Sequence, residues 1–210
     1  LSGAGCGFDG EITKGNLAII AVNALESEIY SVASVEGDSV VMENSGTTLL
    51  KSSFGITLFE GIVDATEVTR LYGDADDISS RFIMVDGRLI LSEDVQANEF
   101  LGYSVKAYCE EKASGMFSLR YIAVNPGENT VYEMNVSEID GIKDYNVILA
   151  DENGKEKKYS YVKTAPVIYN GISTTEAFEY EMLSGAEGSL KLLDNNGDGK
   201  ADVVFLNIYI

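Results

Sequence analysis

Histidine and tryptophan are absent from this 210-residue chain, and cysteine, proline and basic side chains are scarce. Without histidine there is no imidazole base, no Ser-His-Asp triad and no histidine to ligate zinc. Catalysis would be left to carboxylates, lysine, tyrosine or cysteine. No pair of acids stands out as a catalytic couple, so the chain is read as non-enzymatic. Only 15 Lys and Arg face 34 Asp and Glu, a formal net charge of −19. Such a surface repels phosphate backbones and anionic headgroups and attracts divalent cations, so nucleic acid and membrane insertion are not expected. Cys6 and Cys109 are too few for a disulfide framework and lack Cys-x-x-Cys spacing. They read as small core residues, with a single bridge in an oxidising compartment as the alternative. No apolar run reaches ~18 residues, so no membrane-spanning helix is expected. The sequence opens at Leu1 without Met or a basic, apolar leader; the expectation is a mature or excised piece of an exported protein.

Hydrophobic residues make up 45% of the chain, enough for a packed core. After a glycine-rich start (Gly3, Gly5, Gly7, Gly10), Thr13 stands at an N-cap position. Leu17, Ile20, Ala21, Ala24 and Leu25 then mark one face of an amphipathic helix over about 14–28. Gly3-Ala4-Gly5-Cys6-Gly7 has the glycines of a phosphate loop but neither a preceding strand nor Gly-Lys-Ser/Thr, and is discounted. Beyond the helix, short β-branched and aromatic runs alternate with turn residues, among them 30–35, 39–43, 56–63, 82–85, 103–108, 117–124, 130–134, 146–149 and 157–162. Asp86-Gly87, Asn153-Gly154 and Asn170-Gly171 are hairpin or turn signals. Short helical turns are expected around 96–101, stopped by Gly102, and at 174–183, where Ser173 and Glu176 fit a capping box. The predicted fold is mainly β: two small antiparallel units, barrel- or sandwich-like, preceded by one helix. Pro126-Gly127 is the expected boundary, giving segments 1–30, 31–125 and 126–210.

The motif that carries chemistry lies near the C-terminus. Asp194, Asn196 and Asp198 place side-chain oxygens at alternate positions, Gly199 permits a sharp turn, and Asp202 follows. A hard cation such as Ca²⁺ takes six to eight oxygens from a curled loop of this kind. Its expected ligands are Asp194, Asn196, Asp198, the Lys200 backbone carbonyl and Asp202. Phe205 stands where an EF-hand has its bidentate Glu, and apolar runs flank both sides. The expectation is therefore a strand–loop–strand site of weak affinity; the alternative is a tight Asp/Asn/Gly hairpin without metal. The loop resembles the Asp-rich calcium loops of FG-GAP β-propellers. Asp74, Asp76 and Asp77 form a second acidic cluster, read as a solvated loop. The 12 tyrosines suit either half-buried sheet positions or a carbohydrate platform.

Residues 10–25, Gly-Glu-Ile-Thr-Lys-Gly-Asn-Leu-Ala-Ile-Ile-Ala-Val-Asn-Ala-Leu, resemble the closing helix of an S-layer homology (SLH) repeat, with Lys14 in place of its arginine. Val167–Gly171 and Leu192–Phe205, with Glu60–Val63 and Phe100–Tyr103, resemble the β-rich region that follows SLH repeats in Firmicutes surface proteins. The resemblance implies export, a Gram-positive cell wall or S-layer setting, and wall association through regions outside this chain. The expected role is a structural subunit or module of an S-layer or filament, self-assembling through β-strand edges and stabilised by calcium. A surface-displayed binding module for a glycan or host protein is the alternative, and a carboxylate-based glycosidase a more distant one.

Overall fold

A computed structural model describes residues 12–73, 81–93, 95–150, 154–183 and 185–209. Cys6, the glycine-rich start, Asp74, Asp76, Asp77 and Asn153 lie outside them. The chain is mainly β and divides into two compact units, Leu1–Leu58 and Phe59–Ile210.

The first unit opens with α1 (Lys14–Glu26), begun by Thr13, whose hydroxyl accepts from the Asn16 N–H at 3.1 Å. No residue of α1 is buried. Strands β1 (Glu28–Glu36) and β2 (Ser39–Thr48) follow as an antiparallel hairpin. A second helix, α2 (Leu49–Phe54), was not foreseen; Thr48 caps it through the Lys51 N–H, and Gly55 ends it in the left-handed region at φ 68°. Among the described residues of this unit none is buried.

The second unit begins within β3 (Ile56–Ala65) and contains a closed barrel of β3, β4 (Phe82–Val85), β5 (Arg88–Leu91), β7 (Phe117–Val124) and β6 (Ser104–Glu111), in that order. Three strands run as a meander and β6 returns beside β3, a Greek-key connection. The β5–β7 pair is parallel. Val63, Ile83, Ile90, Val105, Ala107, Cys109 and Leu119 fill the interior. Asp86-Gly87 forms the two-residue turn foreseen for it, with both φ values positive (45° and 71°) and Val85 facing Arg88.

Strands β8 (Thr130–Asn135), β9 (Ile139–Lys143), β10 (Asn146–Ala150), β11 (Glu156–Ser160), β12 (Val167–Tyr169), β13 (Ile172–Thr174), β14 (Glu187–Asp194) and β15 (Val203–Tyr209) complete the unit. They form a three-stranded sheet, β11-β10-β9, and a five-stranded sheet, β13-β12-β15-β14-β8, in which β12 and β15 are parallel. Leu190, Leu192, Val204 and Leu206 anchor the core of this part. A smaller apolar cluster of Leu71, Leu101, Ile168, Leu193 and Val203 joins barrel residues to sheet residues. Pro126-Gly127 falls on the β7–β8 connection inside this unit.

The two expected helical turns appear as single 3₁₀ turns, each shorter than the range read for it. The first covers only Asn98–Phe100, because Gly102 turns left-handed at φ 80° and β6 begins two residues later. The second covers only Tyr180–Leu183. The Ser173/Glu176 capping box does not form: Ser173 lies in β13 and its N–H donates to Thr69 Oγ1 at 2.9 Å, while the Glu176 N–H goes to Thr174 Oγ1. Strand pairing claims the backbone that a helix would have needed. A capping box does occur at Asn135 and Glu138.

Candidate metal centre

Residues 195–202 connect β14 to β15, whose last facing pair is Leu193 and Val203. The apolar strands hold the loop mouth at fixed width, and the Asp202 N–H closes it on the Leu193 carbonyl at 2.7 Å. Left-handed glycines at 197 (φ 74°) and 199 (φ 85°) give the two sharp bends that a side chain with Cβ would resist.

Asp194 is the centre of the loop. Only 2% exposed, it collects three backbone donors. Its Oδ1 accepts from Asn196 N–H at 3.2 Å and Gly197 N–H at 2.7 Å, and its Oδ2 from Gly199 N–H at 2.8 Å. The next oxygens repeat the pattern outward: Asn196 Oδ1 accepts from Asp198 N–H at 2.9 Å, and Asp198 Oδ1 from Lys200 N–H at 2.8 Å. Asp202 folds back across the loop, its Oδ2 accepting from Asn195 N–H at 3.0 Å and its Oδ1 from Asn196 Nδ2 at 3.1 Å. The structure thus brings Asp194, Asn196 and Asp202 into one hydrogen-bonded ring, with Asp198 and Lys200 on its exposed outer arc.

Electrostatically the ring gathers like charges. The Asp202 carboxyl is raised from its ordinary value, first by burial and then by the charges of Asp194 and Asp198, against the lowering effect of the Asn195 N–H. The nearby Tyr72 phenol is likewise raised, by burial and then by Asp202 and Asp64. A divalent cation would offset this repulsion, and every donor is a hard oxygen of the kind calcium takes. Among the described residues, no three His, Cys, Asp or Glu side chains converge tightly enough to hold a metal by themselves. Coordination of a cation here would need Asn196 and main-chain oxygen as well as the carboxylates, a set that would suit weak rather than tight binding.

Asn195 is the residue that sequence reading passed over. It is 5% exposed, and its Nδ2 donates to the Gly102 carbonyl at 2.7 Å, across 93 positions of chain. This bond ties the acidic loop to the entrance of β6. Gly102 has little room for a side chain there: an added Cβ would lie 3.0 Å from Val203 Cγ2 and 3.4 Å from Leu193 Cδ2. The available signal was weak: an amide beside a metal-type aspartate reads as one more turn residue.

Cys109 is a free, buried thiol in the barrel core, pushed up to about 12 by burial. Comparison with known proteins gives no matching family model, no matching curated protein and no matching solved structure.

Proposed function

We propose that this chain is a non-catalytic structural module of an extracellular cell-surface assembly, with a C-terminal loop stabilised by calcium. The observation that carries the reading is the β1–β2 hairpin. Val32 faces Met42 and Val35 faces Val40, and Tyr30 continues the same face. A bulge at Ala33 keeps Val35 on the side of Val32 despite their odd spacing. These five side chains are 57, 51, 65, 56 and 55% exposed, for Val32, Met42, Val35, Val40 and Tyr30. Together they present an exposed apolar patch of roughly a few hundred Å², comparable with the largest patch on a typical monomer, which is often functional. The opposite face is mainly polar, with Ser31, Ser34 and Glu43, and carries one exposed apolar residue, Val41. A lone two-stranded hairpin is marginal in water, and an apolar face packed on a neighbour supplies what it lacks.

The SLH-like residues 10–25 support an exported setting, and the loop at Asp194–Asp202 suits one rich in calcium. The test is light scattering and negative-stain microscopy of the purified chain in millimolar calcium and in chelator, with the double variant Val32→Glu, Val40→Glu as control. Ordered oligomers or polymers that the double variant abolishes, and that chelator weakens, are the expected result. A monodisperse monomer in both solutions overturns the reading. Assembly unchanged in the double variant removes the hairpin from it.

A further inference from the structure

A cleft of about 770 Å³ opens between the β9–β10 turn and the segment 177–181, on the side of the second unit's sheets. Tyr161 and Phe178 lie buried against it, edge to face at 5.4 Å. Tyr145 and Tyr180 stand at its rim, 44% and 42% exposed. The position of Tyr145 is the unusual feature. Lys143 and Asn146 face each other across a two-residue turn, Asp144-Tyr145, whose φ values are +50° and +59°. Asn and Gly suit such a turn, and a bulky aromatic is an outlier in it.

The surroundings hold the strained turn in place. Asn146 Nδ2 donates to the carbonyls of Asp144 (2.8 Å) and Lys143 (3.3 Å). Ser160 Oγ donates to Asn146 Oδ1 at 2.7 Å, and the Tyr161 N–H donates to the Tyr145 carbonyl at 2.9 Å. The fold thus spends backbone strain and a hydrogen-bond network to keep one aromatic ring half in solvent, above a cleft. Strain retained in this way is a mark of ligand sites.

The lining decides the ligand class. Asp140, Asp144, Glu179 and Glu181 outnumber Lys143 and Lys163 around the cleft, which disfavours an anion. The Lys163 ammonium already lies over the Tyr145 ring, 5.9 Å from its centre, which disfavours a second cation on that face. Aromatic rims, carboxylate acceptors and the ammonium donors of Lys143 and Lys163 together match a neutral, polyhydroxylated molecule. Its apolar ring faces would lie against tyrosine while its hydroxyls bond to acids and lysine. We infer that the Tyr145–Tyr180 cleft is a binding site for a neutral oligosaccharide, a role beyond the structural one and independent of it.

The experiment is calorimetric titration of the full chain with chitotetraose and cellotetraose, with tetragalacturonate and choline as charged controls, each at about 10 mM, above the weak end expected for a small ligand. Tyr145→Asn removes the ring but suits the left-handed turn better, so its thermal midpoint should hold or rise. Binding of a neutral probe that falls about tenfold or more in Tyr145→Asn, and also falls in Tyr180→Ala, is the expected result. No heat with either neutral probe, preference for a charged control, or neutral binding that survives both substitutions overturns the assignment. A drop in the thermal midpoint of Tyr145→Asn with no neutral binding by the parent chain would mark Tyr145 as a packing residue only.

Discussion

Replacing Asp194 by asparagine is expected to destabilise the second unit by about 3 kcal/mol, measured in chelator so that no cation contributes. One carboxylate now takes three backbone N–H groups, at 3.2, 2.7 and 2.8 Å, in a site that is 2% exposed. In its better orientation an asparagine keeps its oxygen on Asn196 and Gly197 and turns an NH₂ toward the Gly199 N–H. One charge-assisted bond is then lost and two donors face each other, about 1.5–3 kcal/mol. Neutralising the acceptor weakens the other two bonds by roughly half a kcal/mol each. For a unit of this size the thermal midpoint should fall by about 6–12 °C. Urea unfolding followed by far-UV circular dichroism gives the free energy directly, since a change in midpoint at constant slope reports stability alone. Asp198→Asn is the internal control: that side chain is exposed and holds a single backbone donor, so it should cost under about 1 kcal/mol. A loss below about 0.5 kcal/mol for Asp194→Asn, or equal losses for the two variants, would refute the assignment of Asp194 as the centre of the loop.

Gly102→Ala should destabilise by about 2 kcal/mol or more, because residue 102 is left-handed (φ 80°) and its new methyl meets Val203 at 3.0 Å; a chemical melt that leaves stability unchanged would show that the neighbours give way. The Asp202 carboxyl is raised when folded, so the folded state holds its proton more tightly than the unfolded one. Its ionisation opposes folding at neutral pH, and that penalty is relieved as pH falls through the folded pKa towards the unfolded value. The difference in thermal midpoint between the parent chain and Asp202→Asn should therefore shift in the parent's favour on acidification, and millimolar calcium should shrink that shift; a difference independent of pH would contradict it. In a Cys6→Ser background, Cys109 should stay unreactive to a disulfide reagent at pH 8 and react fully in denaturant, since burial pushes its thiol up to about 12; prompt native labelling would show an open barrel.

Local chemistry made much of the β architecture legible in advance. Phe82–Val85 and Phe117–Val124 emerge as β4 and β7 with the boundaries read from their β-branched and aromatic runs, and Thr13 caps α1 through its own hydroxyl. Asp86-Gly87 and Asn170-Gly171 each make a two-residue turn because these residues accept positive φ at little cost. The Asp144-Tyr145 turn has the same geometry but escaped notice, since nothing in a tyrosine signals a left-handed backbone. The helical turn read over 174–183 is confined to Tyr180–Leu183 for the converse reason: the local capping pattern at Ser173 lost to pairing between β12 and β13.

What the sequence determined alone is therefore whatever depends on neighbours in the chain: strand period, turn chemistry, helix caps, the acidic character of 194–202 and the absence of imidazole. What the tertiary structure decided is whatever depends on residues far apart. The closed order β3-β4-β5-β7-β6 and the parallel β12–β15 pair bring together segments with no local preference for one another. The Asn195–Gly102 bond and the assembly of Tyr145 with Phe178 and Tyr180 arise in the same way, from folding of the intervening chain. Such contacts are selected by burial of shared apolar surface, a property of the folded whole that no short window of sequence expresses.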